Sequence, residues 1–229
     1  VTDQTHTVET AGRNDRQAQR RAERRAANRA EILDAAEKVF GQNGLRDGSL
    51  RRIATESGFS TAAIYLFFDS KQDLVAETMT RRGLELLDAV RRAAAVRDEP
   101  ALTRLHHIVD VSVAFFDDRP HFRQLLRHLR GGAMIVGPVL DEFEAGTHPT
   151  FDGVMTTLAD LVREGQEDGE VRDGDPRALA HLYSVLVNEH VLLTSAEQPT
   201  GGVLTPTQFH GLIDGALRQP PNPNPREPR

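Results

Sequence analysis

The chain has 229 residues, 38% of them hydrophobic, no cysteine, and a formal net charge of −6 at pH 7. That length and apolar fraction suffice for a small domain beside one larger core. The lack of cysteine excludes disulfides, thiolate metal sites and thiol redox sensing together. No apolar run reaches the roughly 20 residues that span a bilayer, and the opening VTDQTHTVETAGRNDRQ is wholly polar, so a cytoplasmic protein with no membrane partner is expected.

Charge is unevenly placed. Residues 13–71 carry 12 Lys or Arg against 8 Asp or Glu, whereas residues 72–229 carry 16 against 24. Arg13, Arg16, Arg20, Arg21, Arg24, Arg25 and Arg29 form a run ahead of the first apolar stripe. Two readings stand: a solvated tail, or an arm that reaches phosphates or a minor groove. From Ala30 a helix carries Ile32, Leu33, Ala36, Val39 and Phe40 on one face and ends near Asn43-Gly44. Phe40 is expected in the core, together with Ile53 from the adjoining segment.

Next comes SLRRIATESGFSTAAIYLFFDSK, Ser49 to Lys71. Ser49 is placed to cap a helix beginning at Leu50, with Ile53 and Ala54 inward and Arg51, Arg52, Thr55 and Glu56 in water. Gly58 is a C-terminal stop, since a residue without Cβ takes the left-handed conformation cheaply. Ser60 caps a second helix, about Thr61 to Phe67, and Ser70 with Asp73 forms a capping box for a third. Lys71 lies in that third helix's first turn, where amides and the helix dipole favour an anion. Two short helices joined by a Gly-containing turn are the arrangement of a helix-turn-helix DNA reader.

The segment from about Arg29 to Ala76 resembles the DNA-binding domain of the tetracycline-repressor (TetR) family of bacterial transcription regulators, on the ordered match of Gly58, Ser60, Tyr65, Phe68, Ser70 and Lys71. Thr61 stands where Lys is frequent in that family, and Leu66-Phe67 where His or other polar residues are frequent, so base preference does not transfer. The resemblance implies double-stranded operator DNA as partner. DNA contacts are expected from Ser49, Arg52, Ser60, Thr61, Ala62, Tyr65, Leu66 and Lys71, with Arg24 and Arg25 on the arm. Tyr65 either buries its ring or bonds a phosphate; Phe68 is expected in the core.

Beyond Ser70 the pattern is helical throughout: about 71–95, 101–116, 120–130, 138–168 with an irregular stretch at 146–149, 176–194 and 206–218. Pro138, Pro176 and Pro206 sit where a first turn tolerates proline, and QPPNPNPREPR can form no core. The expected fold is all-α, with a three-helix DNA-binding domain joined to a larger helical one. The expected divisions are a disordered Arg-rich arm (1–24), the helix-turn-helix domain (25–75), a ligand-binding and dimerisation domain (76–219) and a disordered tail (220–229).

The helix from Pro176 to Thr194 has more apolar surface than one buried stripe needs: Leu179, Leu182, Leu186 and Leu193, widened by Tyr183, Val187, Val191 and Leu192. It either meets a second subunit or is buried within one. The resemblance implies the former, a homodimer through the last two helices, with Leu212 and Leu217 joining Leu179, Leu182, Leu186 and Leu193. It further implies a small-molecule pocket, for which Phe115, Phe122, Met134, Phe151 and Met155 are candidates, ordinary core being the alternative. His106, His107, His121, His128, His148, His181 and His190 show no ligand spacing beside Asp or Glu, so no metal and no cofactor are expected. No P-loop, G-x-S-x-G, H-E-x-x-H or G-x-G-x-x-G occurs, and an enzyme is not expected. The functional expectation is a sequence-specific regulator, a repressor released from a palindromic operator by an unknown small molecule. The alternative is a ligand-independent or architectural DNA-binding protein whose larger domain only dimerises or docks a protein.

Overall fold

The structure, a computed structural model, describes residues 3–130, 148–194 and 202–221. They form helices α1 (Asp3–Asp47), α2 (Leu50–Ser57), α3 (Thr61–Ile64), α4 (Lys71–Ala94), α5 (Ala101–Asp117), α6 (Pro120–Arg130), α7 (Pro149–Glu167), α8 (Pro176–Thr194) and α9 (Pro206–Leu217). Among the described residues the only extended pairing is an isolated bridge between Val171 and Arg218. The fold is all-α. The chain divides into two units, Val1–Thr78 and Met79–Arg229, where the sequence placed the boundary after residue 75.

In the first unit, α1 contains the stretch expected to be a disordered arm. The reason lies in composition: RQAQRRAERRAANR, residues 16–29, is almost entirely Ala, Arg, Gln and Glu, the residues that lose least on entering a helix. The helical path breaks at Gly44 (φ 71°, ψ 171°), a backbone that costs glycine little. Leu45 then drops into the core beside Ile32, Phe40, Ile53, Ile64, Phe68 and Leu74, all 2% exposed or less. Burial of each such side chain contributes roughly 1.5–3 kcal/mol.

In the second unit α5 is central, touching α6, α7, α8 and α9. Leu105, Ile108, Phe115 and Phe116 are buried on it. α7 starts at Pro149 behind His148, whose Nδ1 accepts from the Thr150 amide at 3.3 Å; residues 138–147 of the expected longer helix lie outside the described residues. Gly165 on α7 allows a close crossing: a Cβ there would stand 2.6 Å from Val171 Cγ2 and 2.9 Å from Ala101 Cβ. On α8, Ala180, Tyr183, Val187, His190 and Val191 face inward. Tyr183 is buried and donates its hydroxyl to the Leu105 carbonyl at 2.7 Å. Burial first, and then the charge of Asp110, pushes the phenol well above its ordinary pKa.

Candidate nucleic-acid interface

Three hydroxyl caps build the α2–α3–α4 corner. Ser49 Oγ accepts from the Arg52 amide at 3.3 Å, Ser60 Oγ from the Ala63 amide at 3.0 Å and Ser70 Oγ from the Asp73 amide at 3.0 Å. Asp73 Oδ2 reciprocates by accepting from the Asp69 amide at 3.0 Å. Gly58 ends α2 in the left-handed conformation, φ 74° and ψ 9°. These groups satisfy orphan amides at helix starts and set the turn angle.

Regular helix in the recognition segment is shorter than the expected Thr61 to Phe67. After Ile64 the bonds tighten: the Leu66 amide donates to the Ala63 carbonyl at 3.1 Å and the Phe67 amide to the Ile64 carbonyl at 2.9 Å. This three-residue closure is how a helix end commonly satisfies its last carbonyls. It leaves the Leu66 carbonyl free to accept from Arg25 Nη2 at 3.0 Å.

Ala62, Tyr65 and Leu66 share one face at spacings of three and four. All three are exposed, Tyr65 to 53% and Leu66 to 70%, and Thr61 is half-buried beside them. Ser49, Ser60 and Arg52 are also exposed, and the Arg52 guanidinium donates to Asn43 Oδ1. Phe68, Phe40 and Ile53 are buried in the core.

Two expected phosphate contacts are engaged inside the unit. Lys71 Nζ donates to the Leu45 carbonyl at 2.5 Å and lies 5.9 Å from the centre of the Phe40 ring. Burial holds its pKa below the usual lysine value, partly opposed by Asp47. The carbonyls freed where α1 breaks at Gly44 draw the ammonium inward, so in this structure it closes α1 rather than standing open to an anion. Arg25, expected on a free arm, places its guanidinium 5.0 Å from the Phe67 ring centre besides bonding Leu66. Arg29 does likewise over Phe68 at 4.9 Å and pairs with Glu77 at 2.6 Å. Arg24 is exposed. The helical spacing of Arg25 and Arg29 was visible in the sequence; their aromatic partners, some 40 residues away, were not.

In the larger unit, Phe115, Phe122 and Met155 are buried at 6%, 3% and 2% exposure. Phe115 meets Phe116 edge-on at 5.2 Å and Phe122 at 6.3 Å, and Phe116 stacks on Phe122 at 5.8 Å. The three rings pack against one another in the core of this unit. Phe151 is half-buried, and Met134 lies outside the described residues. Of the expected interface residues, Leu182, Leu193 and Leu212 are 46%, 56% and 45% exposed. Leu179 and Leu186 are half-buried. Leu217 is 1% exposed, a correction: the bond from the Arg172 amide to its carbonyl at 2.8 Å ties it into the subunit's own core. Tyr183, Val187 and Val191 are inward too, so the outward apolar face of α8 consists of Leu182, Val185 and Leu193. Among the described residues, no three His, Asp or Glu side chains converge to hold a metal ion, and no helix is long and apolar enough to cross a membrane.

Residues 32–78 match the sequence profile described as bacterial regulatory proteins, tetR family. The fatty acid metabolism regulator protein of Bacillus subtilis (strain 168) is 24% identical over 166 residues, 70% of this chain and 80% of that protein. The HTH-type transcriptional regulator TtgR of Pseudomonas putida is 26% identical over 181 residues, 76% and 85% of the two chains. Among solved structures, the transcriptional regulator FadR from Bacillus subtilis in complex with stearoyl-CoA superposes with a TM-score of 0.68 at 18% identity, covering 82% of this chain and 99% of that one. The capped helix-turn-helix thus lies inside a segment, residues 32–78, that matches the tetR family of bacterial regulatory proteins, and transcriptional regulators align along most of the chain around it.

Proposed function

We propose that this regulator is a cytoplasmic, non-enzymatic, homodimeric repressor that reads a palindromic operator and releases it on binding a small molecule. The observation that carries the DNA reading is the exposed face of Ala62, Tyr65 and Leu66 on a segment fixed by three serine caps. Leu66 on this face is 70% exposed, and in a major groove it lies against thymine methyl groups. Thr61 reads a base edge beside it, and the Tyr65 hydroxyl bonds a phosphate. Exposed Ser49, Ser60, Arg52 and Arg24 supply backbone contacts around the same face. Release by a ligand is supported by the relatives: one is named for fatty acid metabolism, and the FadR structure holds stearoyl-CoA.

Selection of bound duplexes from a random pool, followed by binding isotherms, tests this reading. An approximate palindrome is expected, with half-sites one helical turn apart or a multiple of it. Thr61→Lys should change the consensus at the base pair it touches, where a mismatch costs on the order of 1–3 kcal/mol. An identical consensus for both proteins would remove Thr61 from base readout. A thermal-shift screen identifies the releasing ligand, because binding to the fold raises its melting temperature by mass action.

A further inference from the structure

The larger unit contains a cleft of about 240 Å³ between the C-terminal end of α4, the start of α5 and the outer face of α7. Arg91, Arg97, Arg104, Asp160, Leu161 and Glu164 are among its lining residues. Arg104 forms its floor and is 3% exposed, held by a bond from Nη1 to the Ala94 carbonyl at 2.9 Å. Its Nη2 donates to Glu164 Oε1, but its buried Nε has no acceptor. A carboxylate normally satisfies an arginine by gripping two parallel N–H groups. Glu164 grips one, and does so from a side chain 42% exposed.

The two members of this pair are therefore unequal. The guanidinium is fixed and desolvated; the carboxylate is reached by water and free to swing out. The remaining charges point the same way. Asp160 is occupied by Arg163 at 2.6 Å, while Arg91 and Arg97 at the mouth are exposed and have no hydrogen-bond or ion-pair partner among the described residues. The cleft thus presents two uncompensated positive charges above a buried guanidinium whose preferred fork is half filled. The small volume and the apolar Ala94, Ala95 and Leu161 in its wall limit the guest to a compact molecule.

We propose that this cleft is a binding site for a compact dianion, a phosphate ester or a short dicarboxylate, and that Glu164 is its placeholder. One acidic group of the guest displaces the Glu164 carboxylate and takes Nε and Nη2 of Arg104 together; the second charge meets Arg91 and Arg97. The site draws on α4, α5 and α7 at once, so an occupant fastens three helices to one another. This assignment does not depend on ligand-released repression, and binding is measured without DNA.

Isothermal titration of the full chain at fixed ionic strength with inorganic phosphate and, separately, with succinate tests it, with sodium chloride as the control for bulk ionic effects. Saturable binding of at least one probe at one site per chain is expected. Binding of phosphate alone points to an ester, of succinate alone to a dicarboxylate, and of both to the dianion as such. The doubly substituted Arg91→Ala, Arg97→Ala chain, altered only at exposed positions, should bind roughly tenfold more weakly. Glu164→Gln should bind several-fold more tightly, because the competing charge is gone while the amide oxygen still accepts from Nη2. The Arg104 Nε–H resonance should shift on saturation, as it gains an acceptor. The proposal is overturned if neither probe saturates, if the double substitution leaves affinity unchanged, if Glu164→Gln weakens binding, or if the Nε–H resonance does not move.

Discussion

Lys71 is the first residue of α4, where its charge would ordinarily serve a phosphate, yet two neighbouring carbonyls and an aromatic face draw it partly out of solvent. The bond to the Leu45 carbonyl at 2.5 Å secures the stretch just after the Gly44 break. Lys71→Met keeps the aliphatic stem and removes only the donor, so it should destabilise the DNA-binding unit by about 1–2 kcal/mol. Urea denaturation followed by circular dichroism measures this. The salt dependence of operator binding should stay as it was; a slope reduced by about one counterion would return Lys71 to the phosphate contacts. The contrast with the serine caps shows what was legible at this scale. Ser49, Ser60 and Ser70 bond amides three residues away, so position in the sequence alone reveals them. Lys71 and Arg25 find partners 26 and 41 residues distant, a relation that exists only after folding.

At the scale of helices, periodicity and proline position located α4 to α6, α8 and α9 closely, because each has an apolar stripe bounded by an explicit stop. The α3 end and the start of α1 differ from the sequence pattern for separate reasons. A three-residue closure after Ile64 shortens one, and strong intrinsic helix preference without any apolar stripe extends the other. Helix crossings were equally hidden. Gly165→Ala is a helix-favouring change by propensity, but its methyl would meet Val171 and Ala101 inside van der Waals contact. A loss of about 1–3 kcal/mol is expected from overpacking, and a raised melting temperature would show that the crossing relaxes freely.

The pairing of α5 with α9 adds a dependence on pH. His106 Nε2 approaches Asp214 Oδ1 at 3.0 Å, His210 Nε2 approaches Asp110 Oδ1 at 3.0 Å, and the two imidazoles stack at 4.5 Å. Arg218 also pairs with Asp214, at 2.8 Å, and Asp110 lies near enough to Tyr183 to raise its pKa. Burial lowers the His106 pKa below the ordinary 6.5, with Asp214 opposing and His210 adding to the shift. On α8, His190 stacks on Phe209 at 3.9 Å and is lowered by burial and by His210. A lowered histidine binds protons less readily in the fold than in the unfolded chain, so its contribution is intact above pH 6.5 and is lost as pH falls below that value. Urea midpoints between pH 7.5 and 5.5 should drop, and less steeply in His190→Gln than in the parent chain. Equal slopes would remove His190 from the acid sensitivity and leave it to His106.

For the whole molecule, the apolar surface that matters is what one subunit leaves uncovered. Leu182, Val185 and Leu193 on α8 and Leu212 on α9 are each 39% exposed or more, a set that the proposed two-fold partner would cover. Leu212→Glu should give monomers in sedimentation and lower operator affinity at least a hundredfold, since each recognition segment then binds without its twin. Leu217→Ala should instead cost about 2–5 kcal/mol of stability and leave the folded fraction dimeric, as expected of a filled core position. Reversal of these two outcomes would place the interface on another face. Sequence could not distinguish Leu212 from Leu217 because both fit an apolar helical stripe. In the structure Leu217 continues the buried row of Phe209 and Ile213, next to the bridge at Val171–Arg218, whereas Leu212 stands off that row.

The helical form of residues 16–29 in α1 sets a limit on how this basic stretch meets a duplex. A helix with its side chains is about 10–12 Å wide, whereas the minor groove of B-form DNA is about 6 Å wide. The stretch as folded cannot thread that groove, and only its arginine tips can enter. Arg16, Arg20 and Arg24 recur every fourth residue along one edge, which spaces them about 6 Å apart. Phosphates on one strand advance about 3.4 Å along the duplex axis. A rod laid beside a strand would therefore meet nearly every second phosphate, acting as a ruler along the backbone rather than a probe of its bases.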